Sequence, residues 1–430
     1  MTAARDKTWF GQPRGLTILF LTEMWEFFSY YGMRTLLVYY MTKRLLFAQE
    51  KSSFIYGTYT AMAYFTPIIG GVIADRWLGK RKAVIIGGSA MALGHFMMTF
   101  EPLFYPALAT IALGNGLFLP SLPSQINDLY RADDPRRGRA YNIYYAGLNL
   151  GGFLAPLICG TLGELYGWHY GFGAAGVGMF GGLAIYVAGR GYLPPEGPKW
   201  TASPASVPAE GRGDARKLGL LLLGVGIAAT VFRGAYEQVG NTIPLWTDVG
   251  VDRALGRFVI PMTWFQALNP LLVITMTPLL LLYWRRRADA GRDTPPARRM
   301  AIGALIVAAA YLMLASVSGS IGQARANWLW LVLFFVILTL GELYILPTGL
   351  GLFARLAPRR LGATTVAAWF LAIFSGSLLA GAVGTLWSWA SHTGFFVLLA
   401  GLAAIAAILL WLLDRPIQAC EVNQPAETVA

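Results

Sequence analysis

Twelve apolar runs, near residues 15–41, 53–75, 83–101, 103–127, 140–165, 170–193, 217–246, 257–284, 299–320, 327–354, 361–389 and 392–413, leave this chain few ways to fold. As helices rising 1.5 Å per residue, each is about long enough to cross ~30 Å of hydrocarbon. A helix also satisfies its backbone polar groups within itself, which lipid demands. Only 13% of the residues are charged and 56% are hydrophobic, against about 25% charged in an ordinary soluble protein. The fold expected is an all-α integral membrane protein of twelve transmembrane helices. Its 50 glycines and 14 tryptophans suit close helix contacts and interfacial anchoring.

The net charge of +12 is explained by its distribution, without a nucleic-acid partner. With the N-terminus in the cytoplasm, the inner segments hold 26 of the 34 Lys and Arg, including Arg285, Arg286 and Arg287. The outer loops hold six: Lys43, Arg44, Lys51, Arg253, Arg257 and Arg325. That asymmetry is the positive-inside pattern and predicts a multi-pass protein of the inner membrane with both termini cytoplasmic. The first run is too long, and too interrupted by acids, to be a cleaved signal peptide. Arg34 and Arg233 lie inside spans.

The longest polar interruption, residues 190–216, is rich in Pro, Ala, Gly and Ser and reads as a linker. It divides the chain into six-helix halves, 1–189 and 217–414, followed by a tail at 415–430. Six-and-six division suits a carrier of two packed halves with a solute site near the bilayer midplane. Cys159 and Cys420 fit neither a disulfide framework nor a metal site and are expected to be free thiols. GFGAAG (171–176) fits a dinucleotide fingerprint, but no strand precedes it; helix packing explains the glycines better. His95, His169 and His392 lack zinc spacing, and a structural, hydrogen-bonded role is expected for His95.

Within the first span, Glu23, Glu26, Tyr30 and Arg34 fall on one stripe about 80° wide at 100° per residue. Ionised carboxylates at that depth cost about 2.5–3.5 kcal/mol each on insertion scales, so they must face water, pair or accept a proton. Arg233 and Glu237 lie one turn apart in the seventh span, and Glu342 lies in the middle of the tenth. Arg34 and Glu237 sit at similar depth, which allows either an ion pair between the halves or an i,i+4 pair of Glu237 with Arg233.

These residues resemble the proton-dependent oligopeptide transporters of the major facilitator superfamily. TEMWEFFSYYGMR (22–34) is similar to that family's E-x-x-E-R-F-x-Y-Y-G motif, and GGVIADRWLGKRK (70–82) resembles the superfamily loop motif through Asp75, Arg76 and Gly79. YYAGLNLGG (144–152), LGELYGWHYGFGAAGVGM (162–179), YEQVGNT (236–242), WFQALNP (264–270) and GELYILPTGL (341–350) also follow the family in order. The resemblance implies a symporter that imports di- and tripeptides or peptide-like solutes by alternating access. Protons are then the coupling ion, with no other cofactor and no metal. It implies proton coupling at Glu23, Glu26 and Glu237, and a gate at Arg34 and Glu237. Substrate contacts are implied at Tyr30, Tyr31, Asn149, Asn269, Glu342 and Trp369, with Glu342 receiving the peptide's amino terminus. The expected protein is a monomer, not an enzyme.

Two departures qualify that picture. Phe27 and Leu119 stand where the family places Arg and Lys, so both usual partners of the peptide carboxylate are missing; Arg233 is a candidate replacement. A carrier or exporter of another small solute is the alternative. The chain also lacks the helix pair that many bacterial members insert between the halves, because 190–216 contains no apolar span.

Overall fold

The computed structural model describes residues 11–130, 134–195, 212–322, 324–355 and 362–422. Among them the chain forms thirteen α-helices. The N-terminal half contributes α1 (Arg14–Lys43), α2 (Gln49–Ile73), α3 (Lys80–Met97), α4 (Phe104–Asp128), α5 (Arg136–Ala155) and α6 (Trp168–Gly189). The C-terminal half contributes α7 (Arg212–Tyr236), a short α8 (Thr242–Gly250), α9 (Trp264–Asp289), α10 (Pro296–Ile321), α11 (Leu329–Arg355), α12 (Gly362–Gly384) and α13 (His392–Val422). Nine helical segments among the described residues are long and apolar enough to cross a membrane. The lines of α1, α2 and α3 are not among them: α1 carries Glu23, Glu26 and Arg34, and α3 opens on Lys80, Arg81 and Lys82. Residues 196–211, most of the expected linker, lie outside the described residues.

Local chemistry sets the irregularities. Pro156 has no N–H to continue the α5 ladder, and the backbone relaxes into π-turns at Pro156–Gly160 and Leu162–Tyr166 before α6 begins. In the loop motif, a π-turn over Ala74–Leu78 ends at Gly79, whose φ of +82° suits glycine and whose N–H donates to Ala74 O at 2.7 Å. Four two-residue strands close the loops: β1 (Val251–Asp252) pairs in parallel with β4 (Ala326–Asn327), and β2 (Ala254–Leu255) pairs antiparallel with β3 (Phe258–Val259) around Gly256.

Two compact units emerge, and each draws on both sequence halves. The first comprises residues 1–48, 62–202 and 253–274; the second comprises 49–61, 203–252 and 275–430. In the first unit, α1 packs on α5 and α6, and α3 on α4. Its core includes Leu16, Leu19, Met91, Phe118, Leu122, Met179 and Tyr186. GFGAAG lies in α6, where a side chain at Gly176 would press on Phe96; these glycines serve helix packing. Cys159 is a free, buried thiol against Gly32. In the second unit, α10 packs on α11 and α13, and α7 on α12 and α13.

The two exchanged pieces are the first turns of α2 and of α9. Each follows a loop that carries few basic residues, and the helix ends joined by such loops are here called the base-poor end. In the second unit the α2 backbone touches α12 at paired glycines: a Cβ built on Gly57 would stand 2.3 Å from Gly381 Cα. A Gly57→Ala change should therefore lower stability by about 1–3 kcal/mol through overpacking, read as a lower melting temperature in detergent. Gly351→Ala, with no atom within 4 Å of its Cβ, should melt like the parent.

Candidate functional site

The stripe on α1 divides in two. Glu23 and Glu26 are 1% and 2% exposed, sealed in the first unit rather than open to water. Tyr144 of α5 lies against Glu23. Glu23 Oε2 and Glu26 Oε2 have no hydrogen-bond partner among the described residues, and no salt bridge to either is found there. One and two turns further on, the stripe is half-buried and aromatic. Phe27 stacks on Tyr31 with ring centres 5.8 Å apart, Tyr30 meets Tyr31 edge-on at 5.6 Å, and the Arg34 guanidinium covers the Tyr31 ring at 5.5 Å. Phe27, standing where the resembling motif has a cation, thus extends an aromatic ladder that ends in one.

A second buried charge centre lies at the end of α7, with Arg233 on the helix and Glu237 on the 3-10 turn that follows it. Arg233 and Glu237 form an i,i+4 ion pair with side chains 6% and 1% exposed. The Tyr56 hydroxyl of α2 donates to Glu237 Oε2 at 3.2 Å, and the Arg233 guanidinium lies 5.6 Å from the Tyr236 ring centre. Around this pair run further bonds. Ser53 Oγ donates to Asn241 Oδ1 at 2.8 Å, Gln49 Nε2 to Gly384 O at 2.9 Å, and Gln238 Nε2 to Ala380 O at 2.8 Å. The bonds of Tyr56, Ser53 and Gln49 tie the first turns of α2 to the segment between α7 and α8 and to α12, and that of Gln238 ties the same segment to α12. At the rim Ser388 Oγ donates to Glu50 Oε1 at 2.5 Å.

The remaining expected residues lie on several elements of both units. Asn149 is half-buried on α5 and donates to Tyr145 O of its own helix at 3.0 Å. Asn269 is 8% exposed on α9, and Glu342 is half-buried on α11. Trp369 is buried in packing between α12 and α11, its ring 5.1 Å from that of Phe353 and pressed on Gly349. Leu119 is half-buried on α4, and Asp75 and Arg76 are exposed on their π-turn. His95 departs from expectation: it is fully buried, yet neither ring nitrogen has a hydrogen-bond partner among the described residues. No cluster of three potential metal ligands occurs among the described residues.

The residues that sequence reasoning missed are Tyr56, Ser53 and Asn241 around Glu237, Tyr144 beside Glu23, and Glu164 at the start of α9. Each works through a partner more than 90 positions away, and none has a charge or periodic signature except Glu164, a lone acid near the end of a span. Replacing Arg233 with Met would strand a buried carboxylate and should cost about 3–5 kcal/mol. The Arg233→Met/Glu237→Gln double variant should recover most of it, measured as a double-mutant cycle of denaturation free energies.

Known proteins resemble this chain over most of its length. The sequence profile of the POT family matches residues 81–207 and 210–403. The uncharacterized transporter YclF of Bacillus subtilis (strain 168) is 31% identical, with 96% of each chain covered. A di-/tripeptide transporter of Lactococcus lactis subsp. cremoris is also 31% identical, over 96% of this chain and 97% of the relative. A crystal structure of a variant of the peptide transporter POT in complex with alafosfalin superposes with a TM-score of 0.90, at 28% identity, over 96% of this chain and 97% of that one. With transporters matched end to end and a family profile covering most of its length, this chain is an integral membrane transporter, not an enzyme, and it belongs to the POT family.

Proposed function

We propose that the protein is a proton-coupled symporter that carries di- and tripeptides and peptide-like solutes into the cell by alternating access. The observation that carries the proton part is the Glu23/Glu26 site. Two adjacent carboxyl groups are closed off from water, with no guanidinium or ammonium bonded to either among the described residues. In a medium of low dielectric, such a pair holds a proton at far lower cost than two charges. Glu237 differs: with Arg233 beside it and the Tyr56 hydroxyl on its other oxygen, it is a paired carboxylate whose release needs those partners to move.

The peptide part rests on membership and on the relatives, one a di-/tripeptide transporter and one holding alafosfalin. In this reading Glu342 receives the substrate ammonium, helped by Asn149 and Asn269, while Tyr30 and Tyr31 line the path. Arg233 is the buried cation available to a substrate carboxylate, at the expense of its bond to Glu237. Arg34 and Glu237 serve the gate. The topology has twelve crossings with both ends cytoplasmic: α1, α2 and α3 cross although their polar content keeps them below the composition of a simple span. The base-poor end then faces outward, and protons enter from that side. A six-helix N-terminal bundle (1–189), a linker (190–216), a six-helix C-terminal bundle (217–414) and a tail (415–430) form a monomeric carrier.

Uptake of labelled dialanine into proteoliposomes, driven by an inwardly directed proton gradient, tests the function. Accumulation above equilibrium is expected, and folded protein that shows none contradicts it. Glu342→Gln, which cannot pair an ammonium, should weaken dipeptide binding at least about tenfold, the scale of one lost charge-assisted hydrogen bond. Unchanged affinity would remove Glu342 from the substrate site.

A further inference from the structure

Glu164 is an acid to which the transport reading gives no role, and its geometry is specific. It stands on the π-turn that carries the line of α5 to its end, with its side chain 10% exposed. Its two oxygens accept from consecutive backbone N–H groups at the entrance to α9: Oε2 from Met262 N at 2.9 Å and Oε1 from Thr263 N at 2.8 Å. Such groups at a helix start have no acceptor in their own helix, and the positive end of the helix dipole favours an anion there. Arg253 Nη1 lies 3.9 Å from Oε2. Beside the carboxylate, Trp264 Nε1 donates to Thr161 Oγ1 at 2.8 Å. The two strands of chain meet without a gap, since a Cβ on Gly160 would stand 2.2 Å from Thr263 Oγ1. A carboxylate of the N-terminal half thus caps a helix of the C-terminal half through two charge-assisted bonds, the strong class of hydrogen bond.

We propose that Glu164 is a gating residue: a carboxylate pin that holds the first turn of α9 against the end of α5 and is released each time the base-poor face opens to admit solute. This rests on the alternating-access reading above. Opening that face separates the halves at this end, and the pin is one of the bonds that must break. Its strength therefore sets how much of the protein stands open there at rest.

The test is a distance distribution from double electron–electron resonance, with spin labels at the exposed positions Tyr170 and Leu255, in a Cys420→Ser background reconstituted in nanodiscs. The parent should show one dominant short distance. Glu164→Gln keeps one acceptor and loses the charge, and should raise the long-distance population about tenfold. Glu164→Ala, with no acceptor, should raise it further. A Glu164→Gln distribution superimposable on the parent overturns the proposal. Should neither Glu164 variant fold, Trp264→Phe, which removes the neighbouring indole bond, must shift the distribution the same way, and its failure to do so is equally decisive. These distances need neither substrate nor proton gradient. Failure of the parent to carry dialanine would sink the transport reading alone, whereas unchanged distances alongside intact uptake would sink only the pin.

Discussion

A charge inside a lipid bilayer must be hidden, paired or neutralised, and the described structure is arranged around that requirement. Water offers no relief in the hydrocarbon, and each bare ion costs several kcal/mol. The chain meets the requirement differently at its two charged centres. At the end of α7, Glu237 is paired with Arg233 and bonded by Tyr56, and all three are drawn into one packed unit. On α1, Glu23 and Glu26 are buried together against Tyr144, without a cation bonded to them among the described residues. The first arrangement keeps its charge by structure; the second suits a proton.

The same requirement shapes the backbone contacts. Helices in lipid gain little from hydrophobicity alone and adhere through close packing and polar bonds. Where α2 meets α12, glycine faces glycine, and Ser53, Tyr56 and Gln49 bond across to the segment between α7 and α8 and to α12. Where α5 meets α9, Glu164 and Thr161 do the corresponding work on Met262, Thr263 and Trp264. Each contact joins a helix of one sequence half to a helix of the other.

Much of this was legible in the sequence because it is local. Apolar runs set the helices, the loop motif placed its glycine at the one positive φ it needs, and the spacing of Arg233 and Glu237 offered the i,i+4 pair that the structure contains. The family, too, was readable from motifs in order. What stayed hidden is long-range or subtle. Nothing near Tyr56 announces a bond to a residue 181 positions on, and Glu164 reads as a loop acid until α9 arrives beside it. Pro156 was an apolar residue in a span until it turned the ladder into π-turns. His95 was expected to find a hydrogen bond, but the described packing around it supplies none. Nine helical segments among the described residues have the length and composition of a span, and the polar residues of α1 and α3 keep those two below it.

The central claim is that peptide and proton move together through the buried carboxylates of α1. The most direct test is proton entry driven by peptide alone, in proteoliposomes loaded with a pH indicator, clamped at zero membrane potential, with no imposed pH gradient. Adding dialanine outside should acidify the lumen with the parent protein and fail to do so with the Glu23→Gln/Glu26→Gln variant, although that variant still exchanges dialanine across the membrane. Acidification by the double variant equal to that of the parent would contradict the account.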